Sequence, residues 1–171
     1  ILTNSSTGTP SYLTPSANEF VRVNSARNAL EGIPLGYHCL VYINANSSFP
    51  SANTLITWSA SSGELSSWLS GYTITVGTAG KYLVTGGMLS STGAGEDNIA
   101  TGSIMLNGSG TVVGLARSMM SNNYPVRLVF PTRVLQLAVN DQITVALEGC
   151  SGTLYGDNLA TNTFVDLIRI G

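Results

Sequence analysis

Side chains able to do chemistry are few in this chain and poorly spaced for it. His38 is the only histidine among 171 residues. It stands beside Cys39. Adjacent residues of a strand point to opposite faces, so the two are not placed to act as base and nucleophile. A structural His38 is expected. Glu96 and Asp97 sit together in the Gly-flanked run TGAGEDN. A hard cation such as calcium takes carboxylate and carbonyl oxygens of that kind. A solvated loop tip has the same composition, and that plainer reading is preferred, with no metal site. Asp141 and Asp157 fall in turn-like stretches, where Asp is favoured for bonding to nearby backbone. No two carboxylates have the spacing of a glycosidase pair. The expectation is a protein with no catalytic residues and no cofactor.

Binding chemistry is better supplied. Trp58, Trp68 and Tyr155 lie near predicted strand ends, where an aromatic face can stack on a sugar; core or subunit packing uses the same residues and is preferred. Two long polar loops, Ser90–Asn98 and Ser151–Asn162, are the candidate contact surface. They carry the candidate ligand residues Glu96, Asp97, Tyr155, Asp157 and Asn158. In the second loop an aromatic face stands beside hydrogen-bonding groups, as a sugar ligand would need. The plainer alternative is that both loops only cap the barrel.

Composition narrows the setting. Charged residues make up 9% of the chain and the net charge is -2. Ser, Thr, Asn and Gly cover the surface instead, which suits a β-protein outside the cell. Lys81 is the only lysine and the arginines are scattered, so nucleic acid is not an expected partner. No apolar run reaches the length of a membrane span, and no membrane insertion is expected. No signal-peptide pattern is visible, and a start at Ile1 fits removal of a preceding segment. Cys39 and Cys150 read as two buried thiols, although a pair between them stays open.

The elements that position these residues are strands. Residues 1–37 are rich in Thr, Ser and Pro and read as an extended arm or linker, with one short strand at Phe20–Val23. Residues 38–171 read as a single β-domain. Its predicted strands are Cys39–Asn44, Thr54–Trp58, Tyr72–Val76, Lys81–Leu89, Ser103–Asn107, Thr111–Arg117, Arg127–Phe130, Arg133–Val139, Gln142–Glu148 and Thr163–Ile170. Tyr72, Ile74 and Val76 share one face. Gly86–Gly87 signals a bulge or a close backbone approach, and Pro131 an edge or bend. Asn107-Gly108 and Asn140-Asp141 are tight turns with positive φ. The last strand is apolar on both sides, with Phe164, Ile168 and Ile170 on one and Val165 and Leu167 on the other. A strand covered on both faces lies inside something. A subunit interface carrying Phe164, Ile168 and Ile170 would cover the second.

Residues 38–171 resemble the tumour-necrosis-factor and complement-globular-head superfamily. The likeness rests on Gly80-Lys81-Tyr82 opening a strand, Leu106-Asn107-Gly108, Leu135-Gln136-Leu137 running into Asn140-Asp141-Gln142-Ile143, and the final Phe164 strand. Asn140 stands where that family usually has Gly, and Val165-Asp166 where Gly follows the Phe. The resemblance implies an all-β antiparallel jelly roll that assembles as a compact homotrimer. Residues 13–34, through Leu13-Thr14-Pro15, Phe20-Val21-Arg22-Val23-Asn24-Ser25-Ala26 and Ala29-Leu30-Glu31-Gly32, resemble a segment of phage tail-fibre and virion structural proteins. Together these imply a virion protein on the outer face of a bacteriophage: a fibre, spike or capsid-decoration head, with other virion proteins as partners. The alternatives are a secreted lectin-like or ligand domain of the same fold, and an icosahedral jelly-roll capsid protein.

Overall fold

The computed structural model describes residues 2–4, 10–12, 19–23, 30–34, 37–49, 54–90, 99–108, 111–119, 125–148, 152–157 and 159–171. Regular structure there is β throughout, apart from one 3-10 turn at Ser66–Trp68. Four short strands come first: β1 (Leu2–Asn4), β2 (Pro10–Tyr12), β3 (Glu19–Val23) and β4 (Leu30–Pro34). β1 pairs with β2 and β3 with β4, both antiparallel. The expected single strand at Phe20–Val23 is therefore one arm of a hairpin, and a second hairpin precedes it. Two-stranded ribbons bury little, so Thr-, Ser- and Pro-rich sequence forms them without the alternation that marks a sheet.

Thirteen further strands follow among the described residues: β5 (His38–Tyr42), β6 (Ser47–Phe49), β7 (Thr54–Leu55), β8 (Ala60–Ser62), β9 (Leu69–Ser70), β10 (Thr73–Thr75), β11 (Gly80–Ser90), β12 (Ile99–Leu106), β13 (Thr111–Met119), β14 (Val126–Leu137), β15 (Gln142–Glu148), β16 (Gly152–Leu154) and β17 (Phe164–Arg169). They make two antiparallel sheets. One runs β13-β12-β15-β10-β9, with β7 also on β15; the other runs β6-β16-β11-β17-β5-β8, with β14 also on β11. Alternation explains the packing. Cys39 and Val41, Val84 and Met88, Leu128 and Phe130, and Val165 and Leu167 point inward from the second sheet and meet Ile74, Ala100, Ile104, Ile143, Val145 and Leu147 from the first. Each such side chain contributes about 1.5–3 kcal/mol by leaving water. The result is the expected all-β jelly-roll sandwich.

Several expectations shift. Thr54–Trp58 pairs only at Thr54–Leu55; Trp58 N–H then donates to Gly71 O at 3.2 Å, outside the ladder. Tyr72 does not join Ile74 and Val76: it sits in the turn before β10 and is 49% exposed, while they are fully buried. Arg127–Phe130 and Arg133–Val139 are one strand, β14. Between Val84 and Gly86 the register slips, so that Thr85 opposes both Pro131 and Thr132. The bulge absorbs the proline, which has no N–H for the ladder. Both tight turns form, with φ of 55° at Asn107, 92° at Gly108 and 69° at Asn140.

Candidate functional site

The second sheet has an outer face, and its composition is unusual. The alternation that sends Cys39, Val41, Val165 and Leu167 inward sends Leu40, Tyr42, Phe164, Ile168 and Ile170 outward. The registers stack them in rows. Val134, Leu83, Ile168 and His38 form one row, and Val129, Gly87, Phe164 and Tyr42 another. Val129, Val134 and Ile170 are 66%, 58% and 53% exposed. Single exposed apolar residues are ordinary, but a contiguous patch of them marks a contact surface. The three residues expected at a subunit interface, Phe164, Ile168 and Ile170, all lie on this face.

Between the two apolar rows lies a third, Thr85, Asp166 and Leu40. Asp166 thus has Phe164 and Ile168 on its own strand, two residues away on the same side. Its Oδ1 is shut off from solvent and has no hydrogen-bond partner. Burial raises the Asp166 carboxyl above the ordinary Asp range, and His38 offsets part of that. His38 stands at the edge, with Nδ1 3.5 Å from Glu64 Oε2. Cys39 turns the other way into the core and is a free thiol. Burial first, and the Asp166 charge second, push it up to about 12. Thiolate chemistry is closed to such a group. The sequence reading missed Asp166; its signal was a carboxylate among apolar residues, between Val165 and Leu167.

The proposed ligand residues are spread differently. Glu96, Asp97, Asn158 and Cys150 lie outside the described residues. Tyr155 and Asp157 are neighbours just after β16, and Tyr155 N–H donates to Leu89 O at 2.8 Å. The Asp157 carboxylate accepts from Thr161 N–H at 2.9 Å and from the Thr161 hydroxyl. The Thr161 hydroxyl bond chiefly holds the Asp157 carboxyl below the ordinary range. Asp157 is thus committed to its own turn. Asp141 is held similarly: Asn107 Nδ2 and Ala138 N–H each donate to it at 2.8 Å, while Asn107 Oδ1 accepts from Gln142 N–H at 2.8 Å. The tryptophans pack. Trp58 is 5% exposed, and the Trp68 ring stands 6.0 Å from Tyr82. Among the described residues no cluster of His, Cys, Asp or Glu is arranged to hold a metal ion.

The outer face of the first sheet is mixed. A groove of about 960 Å³ lies on it, lined by Leu55, Met105 and Ala146 as well as by Thr73, Thr75, Gln142, Thr144 and Glu148.

No family model matches the sequence, and no curated protein does. The fold does have relatives among solved structures. Murine APRIL superposes with a TM-score of 0.61 at 16% identity, covering 79% of this chain and 99% of that one. The globular domain of zebrafish complement 1qA gives 0.60 at 12% identity, over 80% and 98%. The Eiger TNF of S. frugiperda gives 0.57 at 11% identity, over 80% and 93%. At these identities the likeness establishes the fold: a tumour-necrosis-factor and complement-head type of jelly roll.

Proposed function

We propose that this chain is a non-enzymatic head domain that assembles as a homotrimer through the outer face of its β17 sheet, and that it is carried on the outside of a bacteriophage particle. The observation that carries the assembly is that face, where valine, leucine, isoleucine, phenylalanine and tyrosine line up in register around one carboxylate. A closed ring of three copies would cover it in each. The superfamily resemblance supports that number. The phage location rests on the resemblance of residues 13–34 to virion segments. On this reading residues 1–37 join the head to a stalk or a neighbouring subunit, as in a fibre, spike or decoration protein, and the end loops with Tyr155 and Asp157 meet other virion proteins or a host glycan.

A secreted ligand domain of the same fold is the second reading, favoured by the likeness to APRIL and Eiger. One of its marks would be glycans at Asn4, Asn46 or Asn107. The Asn107 amide is already engaged by Asp141, so a glycan there would break the hairpin clamp.

Ile168→Glu tests the assembly. In a free subunit the new carboxylate reaches water. In a trimer it would be buried in an apolar row, and His38 opposite it is already paired with Glu64, so the cost is about 3 kcal/mol per copy. Light scattering should find three chains for the wild type and one, still folded, for the variant. A monomeric wild type at micromolar concentration refutes the trimer. For the location, peptides of this chain should appear in mass spectra of purified particles; their absence refutes it.

A further inference from the structure

We propose that the interface between copies of this chain is proton-linked through Asp166, so that assembly tightens as pH falls. The inference rests on the trimer reading above and concerns the regulation of that same face.

The geometry isolates this carboxyl. Thr85 and Leu40 flank it across the neighbouring strands, and Phe164 and Ile168 lie on either side along β17. Of the charged and titratable groups on the elements around it, His38 on β5 shares its face, pairs with Glu64, and partly offsets the burial of Asp166. Tyr42 lies in the adjacent apolar row, and Cys39 points into the core. On β11, Lys81 pairs with Gln136 at the far end, and Tyr82 is buried inward with its hydroxyl on Thr78 O at 2.6 Å. On β14, Arg127 reaches toward Thr161 O at 3.4 Å, and Arg133 is exposed beside the bulge. On β17, Arg169 donates to Ala79 O at 3.3 Å. None of these donates to Oδ1. A copy docked against this face removes the remaining water and supplies apolar neighbours. An ionised carboxylate then loses hydration without gaining a partner, whereas the protonated acid loses much less.

The sign follows from linkage. Asp166 is already raised above the ordinary Asp value in the single chain, and further burial raises it again. The assembled state therefore binds protons more tightly than the free subunit. Assembly is strongest below the free-subunit value and weakens as pH rises through the window between the two.

The experiment measures the trimer dissociation constant by sedimentation from about pH 5 to about pH 8, for full-length wild type, Asp166→Asn and His38→Gln. Wild-type assembly should weaken with rising pH, by up to about tenfold per pH unit for each carboxyl that releases its proton. Asp166→Asn keeps the shape without the charge and should assemble tightly at every pH. His38→Gln should keep a dependence of the same sign, moved to higher pH because the charge that partly offsets the burial of Asp166 is gone. Trimers whose pH dependence is the same in wild type and Asp166→Asn overturn this proposal and leave the trimer standing. So does a dependence lost in His38→Gln, which assigns it to the imidazole, or a wild type that tightens as pH rises, which means a basic group of the next copy reaches the carboxylate. Monomers at every pH in all three proteins refute the trimer itself.

Discussion

Gly86 offers a sharp test of the packing. It lies in β11 opposite Val165 of β17. A Cβ added there would fall 2.6 Å from Phe164 O, 2.9 Å from Val165 Cγ2 and 3.1 Å from Val165 Cα. Two of these atoms are backbone of a strand held by ladders on both sides, so relief means displacing β17. Carbon pairs prefer about 3.5–4.0 Å. Overpacking of this kind costs about 1–3 kcal/mol, and a backbone obstacle puts Gly86→Ala at the upper end. The strand preference for Ala over Gly, about 0.5–1 kcal/mol, offsets only part of it. Two other glycines calibrate the argument. At Gly102 the added Cβ would meet Met88 Cε at 2.4 Å and the Phe130 ring at 3.0 and 3.2 Å, buried side chains rather than the backbone of a paired strand. At Gly108 it would meet nothing within 4 Å, and only the φ of 92° resists; that costs about 1 kcal/mol. Denaturant midpoints at equal m-values and one fixed protein concentration should therefore rank Gly86→Ala as most destabilising. A Gly86→Ala cost within about 0.5 kcal/mol of the Gly108→Ala cost would refute the close approach.

Three further outcomes follow from the same structure. Cys39, raised to about 12 from an ordinary value of 9.0, keeps its proton longer in the folded chain than in the unfolded one. Stability is then intact below the ordinary value and falls as pH rises above it, by up to about 1.4 kcal/mol per pH unit; Cys39→Ala should flatten that alkaline decline in denaturant titrations. Asn107→Ala and Asp141→Ala break one clamp between two turns, each at about 1 kcal/mol or less because the site is exposed. The double variant should cost less than the sum, and strict additivity in the cycle would dissolve the clamp. On the proposed phage reading, Tyr155→Ala with Asp157→Ala, in a protein that stays folded, should reduce adsorption to host cells; unchanged adsorption removes that loop as a contact surface.

Much of the sandwich was legible because alternation is a strong signal wherever one face is buried. Gln142–Glu148 shows it fully, with Ile143, Val145 and Leu147 inward. Asn107-Gly108 announced its hairpin through residues that tolerate positive φ. Short partners were hidden for a physical reason: β6, β8, β9 and β16 are two or three residues long, rich in Ser with single Phe, Ala, Gly and Thr and two Leu, and are held by their neighbours rather than by their own pattern. Pro131 misled by suggesting a break, where a bulge let one strand run through. Tyr72 matched the alternation of Tyr72–Val76, but the turn at Gly71 ends the strand before it. The two sides of β17 were readable, and Phe164, Ile168 and Ile170 do lie on the outer one; the pairings with β5 and β11 that set this are not encoded in a single strand.

The two outer faces of the sandwich differ in degree. On the β15 sheet, Leu55, Met105 and Ala146 are interspersed with Thr73, Thr75, Gln142 and Glu148 around an open groove. On the β17 sheet, the outward positions beside Asp166 are Phe164, Ile168, Leu40, Tyr42 and Leu83. A monomer would gain nothing from that asymmetry, because water meets both faces equally. A ring of copies with the apolar sheets inward gains from both: one face leaves water, and the other stays soluble and accessible. The carboxylate inside the apolar face opposes such a ring when it is ionised. An apolar residue at 166 would make the same ring tighter and indifferent to the protonation of that position.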